Sequence, residues 1–279
     1  MASRFVTLES TEIRRLYEDL LAGLQARLSD PATDRNQLCR EILMQIHFGA
    51  GADYQTMLHD ARLPLATRSL VASMDPRNVT LEPEYYGEMD VERYYRSKPL
   101  LWLWQMFDHS PLGQNLELAT RVRYTLARHL FRRIGENVRF FRGVEFSFGY
   151  NMSVGSNVTF HRYVLIDDRG PITIGDNVSI SDWANVYTHT HNIEEIQDVS
   201  ILPTALGDGV RVTYHSTVLA GVKMGKESML GSMGVATKDI PPYHVAVGIP
   251  AKAVKIKEKA RLDPGYSGPY DVDRPGRKG

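Results

Sequence analysis

The chain has 279 residues, and 43% of them are hydrophobic, which is enough for a buried core and excludes intrinsic disorder of the whole chain. Thirty-three Lys and Arg balance thirty-three Asp and Glu, so no net charge draws the protein to nucleic acid or to an anionic membrane. The single cysteine, Cys39, excludes an internal disulfide framework and is typical of a cytoplasmic protein, and the most apolar run (99–107) is too short to span a membrane.

Residues 1–133 are predicted to form a helical N-terminal domain. Apolar residues recur at spacings of three and four from Ile13 to Leu28, which predicts one face of an amphipathic helix. Ser10 is a suitable N-cap, and Pro31 requires the helix to end before it.

Two further helices are expected in this region. One covers 38–46 and ends at Gly49, and the other covers 116–134 with arginines that predict a solvated polar face. Prolines are expected to divide the remainder into short segments. They lie at Pro64, Pro76, Pro83, Pro99 and Pro111.

From Ile134 onward the apolar residues recur with a period of six. The fifteen first positions of this repeat are Ile134, Phe140, Phe146, Val154, Phe160, Ile166, Ile174, Ile180, Val186, Leu206, Val212, Val218, Met224, Leu230 and Ala236. Four places later, eleven of the fifteen residues are Ser, Thr, Ala or Val. Gly often follows the first residue and Asn often lies three places after it, as at Gly155 and Asn157.

A six-residue period predicts a parallel β-solenoid over 134–255. The large residue points inward, the small residue fits a crowded corner, and Gly or Asn adopts the positive φ of the turn. Three faces make one coil, so fifteen faces predict about five coils. A β-sandwich is the alternative, but the register of the repeat holds from Ile134 to Ala236.

One step of the repeat is much longer than the others and predicts a protruding loop. The step from Val186 to Leu206 is more than three times the period, so the surplus residues leave the solenoid there. The loop carries His189 and His191 at alternate positions. Because loops on a rigid scaffold commonly carry chemistry, this loop is the expected site of function.

The residues from 174 to 255 resemble the hexapeptide-repeat acyltransferases, especially the galactoside, maltose and nodulation-type O-acetyltransferases with their left-handed β-helix. The matching segments are Ile174-Gly-Asp-Asn-Val178, His189-Thr-His191, Leu206-Gly-Asp-Gly-Val210, Leu230-Gly-Ser232, Ala236-Thr-Lys-Asp-Ile-Pro-Pro242 and Gly248-Ile-Pro-Ala-Lys-Ala-Val254. The two closing segments are the most specific. The helical N-terminal region matches no part of this pattern.

The resemblance implies transfer of an acetyl or other small acyl group to a hydroxyl of a saccharide-like acceptor, with a loop histidine as general base. His191 matches the family's base, and His189 is the second candidate. Asp168 matches a carboxylate that faces the acceptor, although adjacent Asp residues also form turns. The group that orients the base is not identified, and Glu194 and Glu195 are near it in sequence.

The resemblance also implies acetyl-CoA as the acyl donor, with no metal. Ser232, Thr237 and Lys252 match positions that contact its pantetheine arm and nucleotide, and Lys238 and Lys255 are candidate phosphate partners. Each also has an ordinary structural explanation, because Ser and Thr suit solenoid corners and lysines solvate a surface. Cys39 lies outside the repeat and is not expected to be a nucleophile.

The sequence departs from the family pattern at several positions. Arg211 and Tyr214 replace a Trp and a small residue beside the donor groove, and an acceptor-side Asn is replaced around Phe160 and His161. His215 is interpreted as a surface residue. The identity of the acceptor is therefore open.

Three alternatives remain at this point. The first is an N-acetyltransferase that acts on an amino sugar. The second is a zinc enzyme similar to the gamma carbonic anhydrases, with candidate ligands His161, His189, His191 and His215. The third is an inactive solenoid that serves as a scaffold. The resemblance also implies a homotrimer, and residues 256–279 are expected to be a polar C-terminal tail that is extended or disordered.

Overall fold

The computed structural model describes residues 8 and 10–272, and α-helices fill the first half of this part. They are α1 (Thr11–Ser29), α2 (Arg35–Phe48), α3 (Tyr54–His59), α4 (Leu65–Ser73), α5 (Val91–Asp108) and α6 (Leu116–Leu130). The prediction for α1 is confirmed, because the Ser10 hydroxyl accepts the amide of Ile13 at 3.2 Å. The prediction that α2 ends at Gly49 is also confirmed. Within the described residues, no helix is long and apolar enough to cross a bilayer.

The prediction that Pro99 ends a segment is wrong, because α5 continues through it. A proline inside a helix removes one hydrogen bond at a cost of about 3 kcal/mol. Its neighbours Leu100, Leu101 and Leu103 are buried in the core. We infer that this packing outweighs the cost. Three other prolines begin or lie within short 3₁₀ helices, as their positions suggested, and these are Pro76, Pro83 and Pro111.

The polar face predicted for α6 is only partly solvated. Arg121 forms an exposed pair with Glu117, as expected, but Arg123 has a side chain that is only 1% exposed. The Arg123 guanidinium donates to the Asp108 carboxylate at 2.7 Å and to the carbonyls of Phe140 and Gly113. The expectation of a uniformly solvated arginine face is therefore wrong at Arg123, which lies at the junction of the helices and the solenoid.

The solenoid follows as five coils of three short strands, with a hairpin inserted after the third coil. The strands are β1 (Arg133–Ile134), β2 (Arg139–Phe140), β3 (Glu145–Phe146), β4 (Met152–Val154), β5 (Thr159–Phe160), β6 (Leu165–Asp167), β7 (Ile172–Ile174), β8 (Ser179–Ile180), β9 (Asn185–Tyr187), β10 (His189–His191), β11 (Val199–Ile201), β12 (Thr204–Leu206), β13 (Arg211–Val212), β14 (Thr217–Val218), β15 (Lys223–Met224), β16 (Met229–Leu230) and β17 (Val235–Ala236). Three parallel sheets result, which are the three faces of the left-handed β-helix, and the predicted fold class is confirmed.

The pairing of the strands agrees with the six-residue repeat predicted from the sequence. The strand ladders pair each first position with its equivalent one coil later, for example Ile166 with Val186 and Val186 with Val218. Fourteen of the fifteen first positions are buried, and Ile134 is partly buried. The strands β3, β6, β9, β14 and β17 form one of the faces, which is called the third face below.

The turn residues act in two different ways. Asn137, Asn157 and Asn177 adopt positive φ, as predicted. Gly155 and Gly175 do not, so the prediction is wrong for them. They are needed for space, because a Cβ on Gly155 would lie 2.7 Å from the backbone of Gly175 in the next coil.

Aromatic residues occupy the corner at which the third face begins. Tyr163, Trp183 and His215 adopt positive φ, a region that bulky side chains rarely occupy. Their rings stack along the solenoid axis, with centroids 4.2 Å apart for Tyr163 and Trp183 and 6.1 Å apart for Trp183 and His215. Met233 continues this row, which is called the aromatic edge below.

The last described residues close the far end of the solenoid. Strand β18 (His244–Val247) begins a partial sixth coil, and β19 (Lys252–Ile256) pairs antiparallel with it. The expectation of an extended or disordered tail is wrong for 257–272. Tyr266 and Val272 pack against a small buried cluster there, and Lys257 and Lys259 bind Glu227. The basic tail residues Arg274, Arg277 and Lys278 lie outside the described residues.

One hydrophobic core runs from α1 through the solenoid. The indole of Trp104 on α5 donates to the carbonyl of Val144 in the first coil, and Arg93 donates to the carbonyl of Tyr150. Phe131 packs edge-on against the buried aromatic rings of β2 and β3. The helices therefore cover the open first coil, whose unpaired strand edges need such a cover.

Arg123→Met is expected to lower the free energy of unfolding by about 3–5 kcal/mol, because it leaves the buried Asp108 carboxylate without its cation. Urea unfolding followed by circular dichroism measures the change. Arg121→Met is the matched control on the exposed side of α6 and is expected to change stability by less than about 0.5 kcal/mol. Equal losses in the two variants would contradict a special role for Arg123.

Candidate active site

The loop with the two histidines is an antiparallel hairpin formed by β10 and β11. His189 pairs with Ile201 and His191 with Val199 in its register. The amide of Leu202 donates to the carbonyl of Thr188 at 2.7 Å and closes the base of the hairpin against the solenoid. Because His189 and His191 are two residues apart on one strand, their side chains lie on the same face of the hairpin.

His191 is exposed, and one of its nitrogens is engaged. Its Nδ1 lies 2.6 Å from the carbonyl oxygen of Ile196. A carbonyl can only accept, so Nδ1 carries the proton in the neutral ring and Nε2 keeps its lone pair. The sequence left open which group orients this ring, and Glu194 and Glu195 were its candidates. In the structure the backbone oxygen of Ile196 does so.

His189 is oriented by a carboxylate. Its Nδ1 lies 2.6 Å from Oδ2 of Asp167, whose side chain is 6% exposed. Asp167 also accepts the amide of Thr188 at 3.1 Å and the hydroxyl of Ser147 at 3.2 Å, so its position is fixed. The rings of His189 and His191 meet edge to face with centroids 5.2 Å apart. Sequence reasoning did not identify Asp167 as a partner of the loop.

The carboxylate of Asp168, which the sequence predicts to face the acceptor, lies inside the protein. Its side chain is completely buried, and its oxygens accept the amides of Phe148 at 2.7 Å and Asn151 at 3.3 Å. Complete burial raises the pKa of Asp168 to about 7, although these amide hydrogen bonds act in the opposite direction. Asp167, the residue before it, is the carboxylate that contacts the hairpin.

Asp168→Asn is expected to destabilise the fold, because an amide group cannot accept both backbone N–H donors. The raised pKa means that the native carboxyl keeps its proton while the unfolded chain loses it, between about pH 4 and pH 7. Stability from this group is therefore complete below about pH 4 and is lost as the pH rises to about 7. Urea unfolding at several pH values should show the wild-type advantage over Asp168→Asn shrinking in this range.

Asp176→Asn is the matched control for this experiment. Asp176 accepts the amide of Ser156 at 2.6 Å but is exposed, so water can replace the lost hydrogen bond. A smaller loss of stability is expected. A difference between wild type and Asp168→Asn that does not vary with pH would contradict the assignment.

A segment before α5 contacts the turn that follows β6. Glu88 forms an ion pair with Arg169, whose guanidinium also lies 4.2 Å from the ring centre of Tyr86. Burial raises the pKa of Glu88, but the hydrogen bond from Arg169 and the charge of Arg169 lower it, and the net shift is downward. The N-terminal region therefore contacts the solenoid two residues after Asp167, the carboxylate that orients His189.

Three of the five donor-binding residues expected from the sequence lie on two sides of the third face. Thr237 and Lys238 directly follow β17, on the side where the hairpin leaves the solenoid, which is called the loop edge below. Ser232 precedes β17 at the aromatic edge, and its hydroxyl lies 3.4 Å from that of Thr213. Lys252 and Lys255 lie on β19. All five of these side chains are exposed.

The remaining sequence-predicted positions are distributed as follows. Tyr214 is exposed beside the aromatic edge, and Arg211 is exposed on β13. Phe160 is buried, and His161 stacks on Phe141 with ring centroids 5.2 Å apart. Cys39 is buried in the helical region, and burial raises the pKa of its thiol.

Within the part of the chain that the structure describes, no three His, Cys, Asp or Glu side chains converge as metal ligands. The four histidines named for the zinc alternative are in different surroundings. His189 and His191 face each other on the hairpin, while His161 and His215 lie on separate corner positions and stack on aromatic rings.

The solenoid and its inserted hairpin define a left-handed β-helical acyltransferase, and comparisons with known proteins give the family. No family model matches the chain. Galactoside O-acetyltransferase of Escherichia coli is 30% identical over 168 residues, which are 59% of this chain and 79% of that protein. The chain therefore belongs to the hexapeptide-repeat acetyltransferases and is an acyltransferase.

Solved structures agree with this assignment. A galactoside acetyltransferase in complex with coenzyme A is 26% identical, with a TM-score of 0.56, and the match covers 68% of this chain and 94% of that one. A maltose O-acetyltransferase from Clostridium difficile 630 is 28% identical, with a TM-score of 0.53, and the match covers 62% of this chain and 92% of that one. Acyl-CoA as the donor is consistent with the coenzyme A complex.

Proposed function

We propose that the protein transfers an acetyl group from acetyl-CoA to a hydroxyl of a saccharide-like acceptor, with His191 as the general base. The observation that supports this most directly is the hydrogen bond from His191 to the carbonyl of Ile196, which leaves Nε2 as a proton acceptor on an exposed face. The galactoside and maltose acetyltransferases similar to this chain support the acceptor class, and the coenzyme A complex supports the donor.

The chemistry requires such a base, because a sugar hydroxyl does not ionise at neutral pH. As the hydroxyl oxygen attacks the thioester carbonyl, Nε2 of His191 takes its proton. The carbon–sulfur bond then breaks, and the imidazolium returns the proton to the sulfur of coenzyme A. The Ile196 carbonyl stabilises the imidazolium, since Nδ1 remains its donor throughout.

His191→Asn is expected to reduce kcat about 10²- to 10⁴-fold while the KM for acetyl-CoA stays similar. The asparagine amide can still donate to the Ile196 carbonyl, so the loop is retained while the proton acceptor is lost. Release of the coenzyme A thiol, measured across a series of methyl hexopyranosides, gives the rates.

His109→Asn is the matched control. His109 is also exposed and also engages a backbone carbonyl, that of Gln105 at 2.7 Å, but it lies at the end of α5. Wild-type turnover is expected for it. Full activity in His191→Asn, combined with its loss in a His189 variant, would assign the base to His189 instead.

The donor is proposed to lie along the third face. Thr237 and Lys238 at the loop edge, with Ser232 at the aromatic edge, would contact the pantetheine arm, and Lys252 and Lys255 would bind phosphate. The exposure of these lysines supports this role, because three other lysines near this end of the solenoid are already paired with carboxylates. The paired lysines are Lys226 with Asp263, and Lys257 and Lys259 with Glu227.

The site is proposed to be completed by a second copy of the chain in a trimer. His191 and Ser232 lie at opposite edges of the third face, so one copy offers the base and the next copy offers the serine. A contact of this head-to-tail kind uses two different surfaces and closes into a ring. The exposed side chains of Ile193 and Ile196 at the hairpin tip support such a contact, because they would be covered in it.

Mixing two inactive variants tests this arrangement. Ser232→Trp should block the pantetheine arm, and His191→Asn removes the base, so each variant alone should be nearly inactive. If the two residues come from different copies, subunits exchanged from an equal mixture should recover activity at about a quarter of the sites. No recovery, with mixed trimers verified by mass spectrometry, would show that each site belongs to a single chain.

A further inference from the structure

An open groove lies between α1, α6 and the first coil, and none of the residues named for acetyl transfer lines it. Its volume is about 1100 Å³, which is enough for a complete small molecule and far more than a single phosphate ion needs. The groove is called the arginine groove below, because four arginines are among its charged lining residues. These residues are Arg14, Glu18, Glu117, Arg121, Arg128 and Arg139.

Hydrogen bonds join the walls of the arginine groove to one another. At the beginning of α6, the side-chain amide of Asn115 donates to the Tyr17 hydroxyl of α1 at 2.7 Å. Further along α6, the Tyr124 hydroxyl donates to the carbonyl of Gly135 in the first coil at 2.9 Å. The shape of the groove is therefore fixed before a ligand binds, which lowers the cost of binding.

Two of the arginines have more hydrogen-bond donors than the protein uses. A guanidinium carries five N–H groups. Arg14 donates to the hydroxyl of Thr11 at 3.2 Å, and Arg128 donates to the side-chain oxygen of Gln25 at 3.4 Å. Within the described residues, neither guanidinium has a carboxylate partner. Most of their donors are therefore available to a ligand that can accept several hydrogen bonds.

The charge of the arginine groove is positive, because four arginines and two glutamates line it. Glu117 is paired with Arg121, but this pair spans 3.5 Å and each side chain is 40% exposed. A long, exposed pair of this kind contributes little to stability, so a ligand can compete for the guanidinium. Phosphate groups suit such a site, because guanidinium and phosphate form paired, charge-assisted hydrogen bonds.

The remaining lining of the arginine groove suits a flat ring with polar edges. Tyr124 and Phe141 are half-buried there, and Thr120, Thr125 and Asn137 line the groove beside them. Aromatic side chains stack on nucleobases, and amide and hydroxyl groups can bind the polar edges of a base. A lipid chain would need an uninterrupted apolar wall instead. The lining therefore favours a nucleotide.

We infer that the arginine groove binds a nucleoside diphosphate. Its phosphates are bound by Arg14, Arg121 and Arg128, and its base lies against Tyr124 and Phe141. The ligand therefore contacts α1, α6 and the first coil together. This inference does not depend on the proposed acetyl transfer, because the groove is formed by the first coil and the hairpin is inserted after the third.

Isothermal titration calorimetry with uridine diphosphate tests the inference. The full-length protein is kept in saturating acetyl-CoA, so the donor site is filled and the nucleotide must bind elsewhere. Wild-type protein is expected to bind it. Arg14→Gln on α1 and Arg128→Gln on α6 should each weaken binding about tenfold or more, because each removes hydrogen bonds to a charged group.

Arg15→Gln and Arg132→Gln are the matched controls. Arg15 lies on α1 and Arg132 directly follows α6, and both are exposed but do not line the arginine groove. Both controls are expected to bind as the wild type does, and thermal unfolding without ligand checks that all four variants are folded. Equal weakening in the controls would overturn the inference, because overall charge alone would then attract the nucleotide.

Inorganic pyrophosphate is the second probe and carries the phosphates without the base. It is expected to bind about tenfold more weakly than uridine diphosphate, because it cannot stack on the aromatic rings. Equal affinity of the two probes would overturn the assignment of a nucleotide. Two further outcomes would also overturn it: no binding of uridine diphosphate at millimolar concentration, or binding that disappears when acetyl-CoA is added.

Discussion

The buried ion pair between Arg123 and Asp108 is the constraint on which the start of the solenoid depends. Asp108 accepts from Arg123 and also from the amide of Gly143 at 2.8 Å, while Arg123 donates to the carbonyl of Phe140. A buried pair stabilises a fold only when its remaining donors and acceptors are satisfied. Here two of the three backbone groups that satisfy it, at Phe140 and Gly143, belong to the first coil, so the pair ties α5 and α6 to the solenoid.

Once the first coil is set, the repeat places the site. Equivalent positions of successive coils lie beside one another along the solenoid axis. Asp167, Tyr187 and Thr237 therefore follow one edge of the third face, and the aromatic residues follow the other. A shift of one residue would turn buried side chains outward, so the register is strongly determined. The hairpin inserted after β9 therefore leaves the solenoid at the loop edge, beside the carboxylate at the end of β6.

The repeat, the loop and its two histidines could be predicted from the sequence because these features depend on local spacing. Asp167 could not be distinguished from Asp168, because both are buried and only the three-dimensional turn decides which of the two faces the hairpin. The prediction that Pro99 ends a segment and the prediction that Arg123 is solvated are wrong for a related reason. Both depend on packing between the helices and the solenoid, which no local pattern contains.

Three consecutive residues join the parts of the molecule. Asp167 orients His189 on the hairpin, Asp168 accepts amides of the preceding coil, and Arg169 binds Glu88 of the helical region. Because the three residues are adjacent, the ion pair with the helical region lies two residues from the carboxylate that orients His189. The helical region therefore does more than cover the end of the solenoid, since it also contacts the turn beside the hairpin.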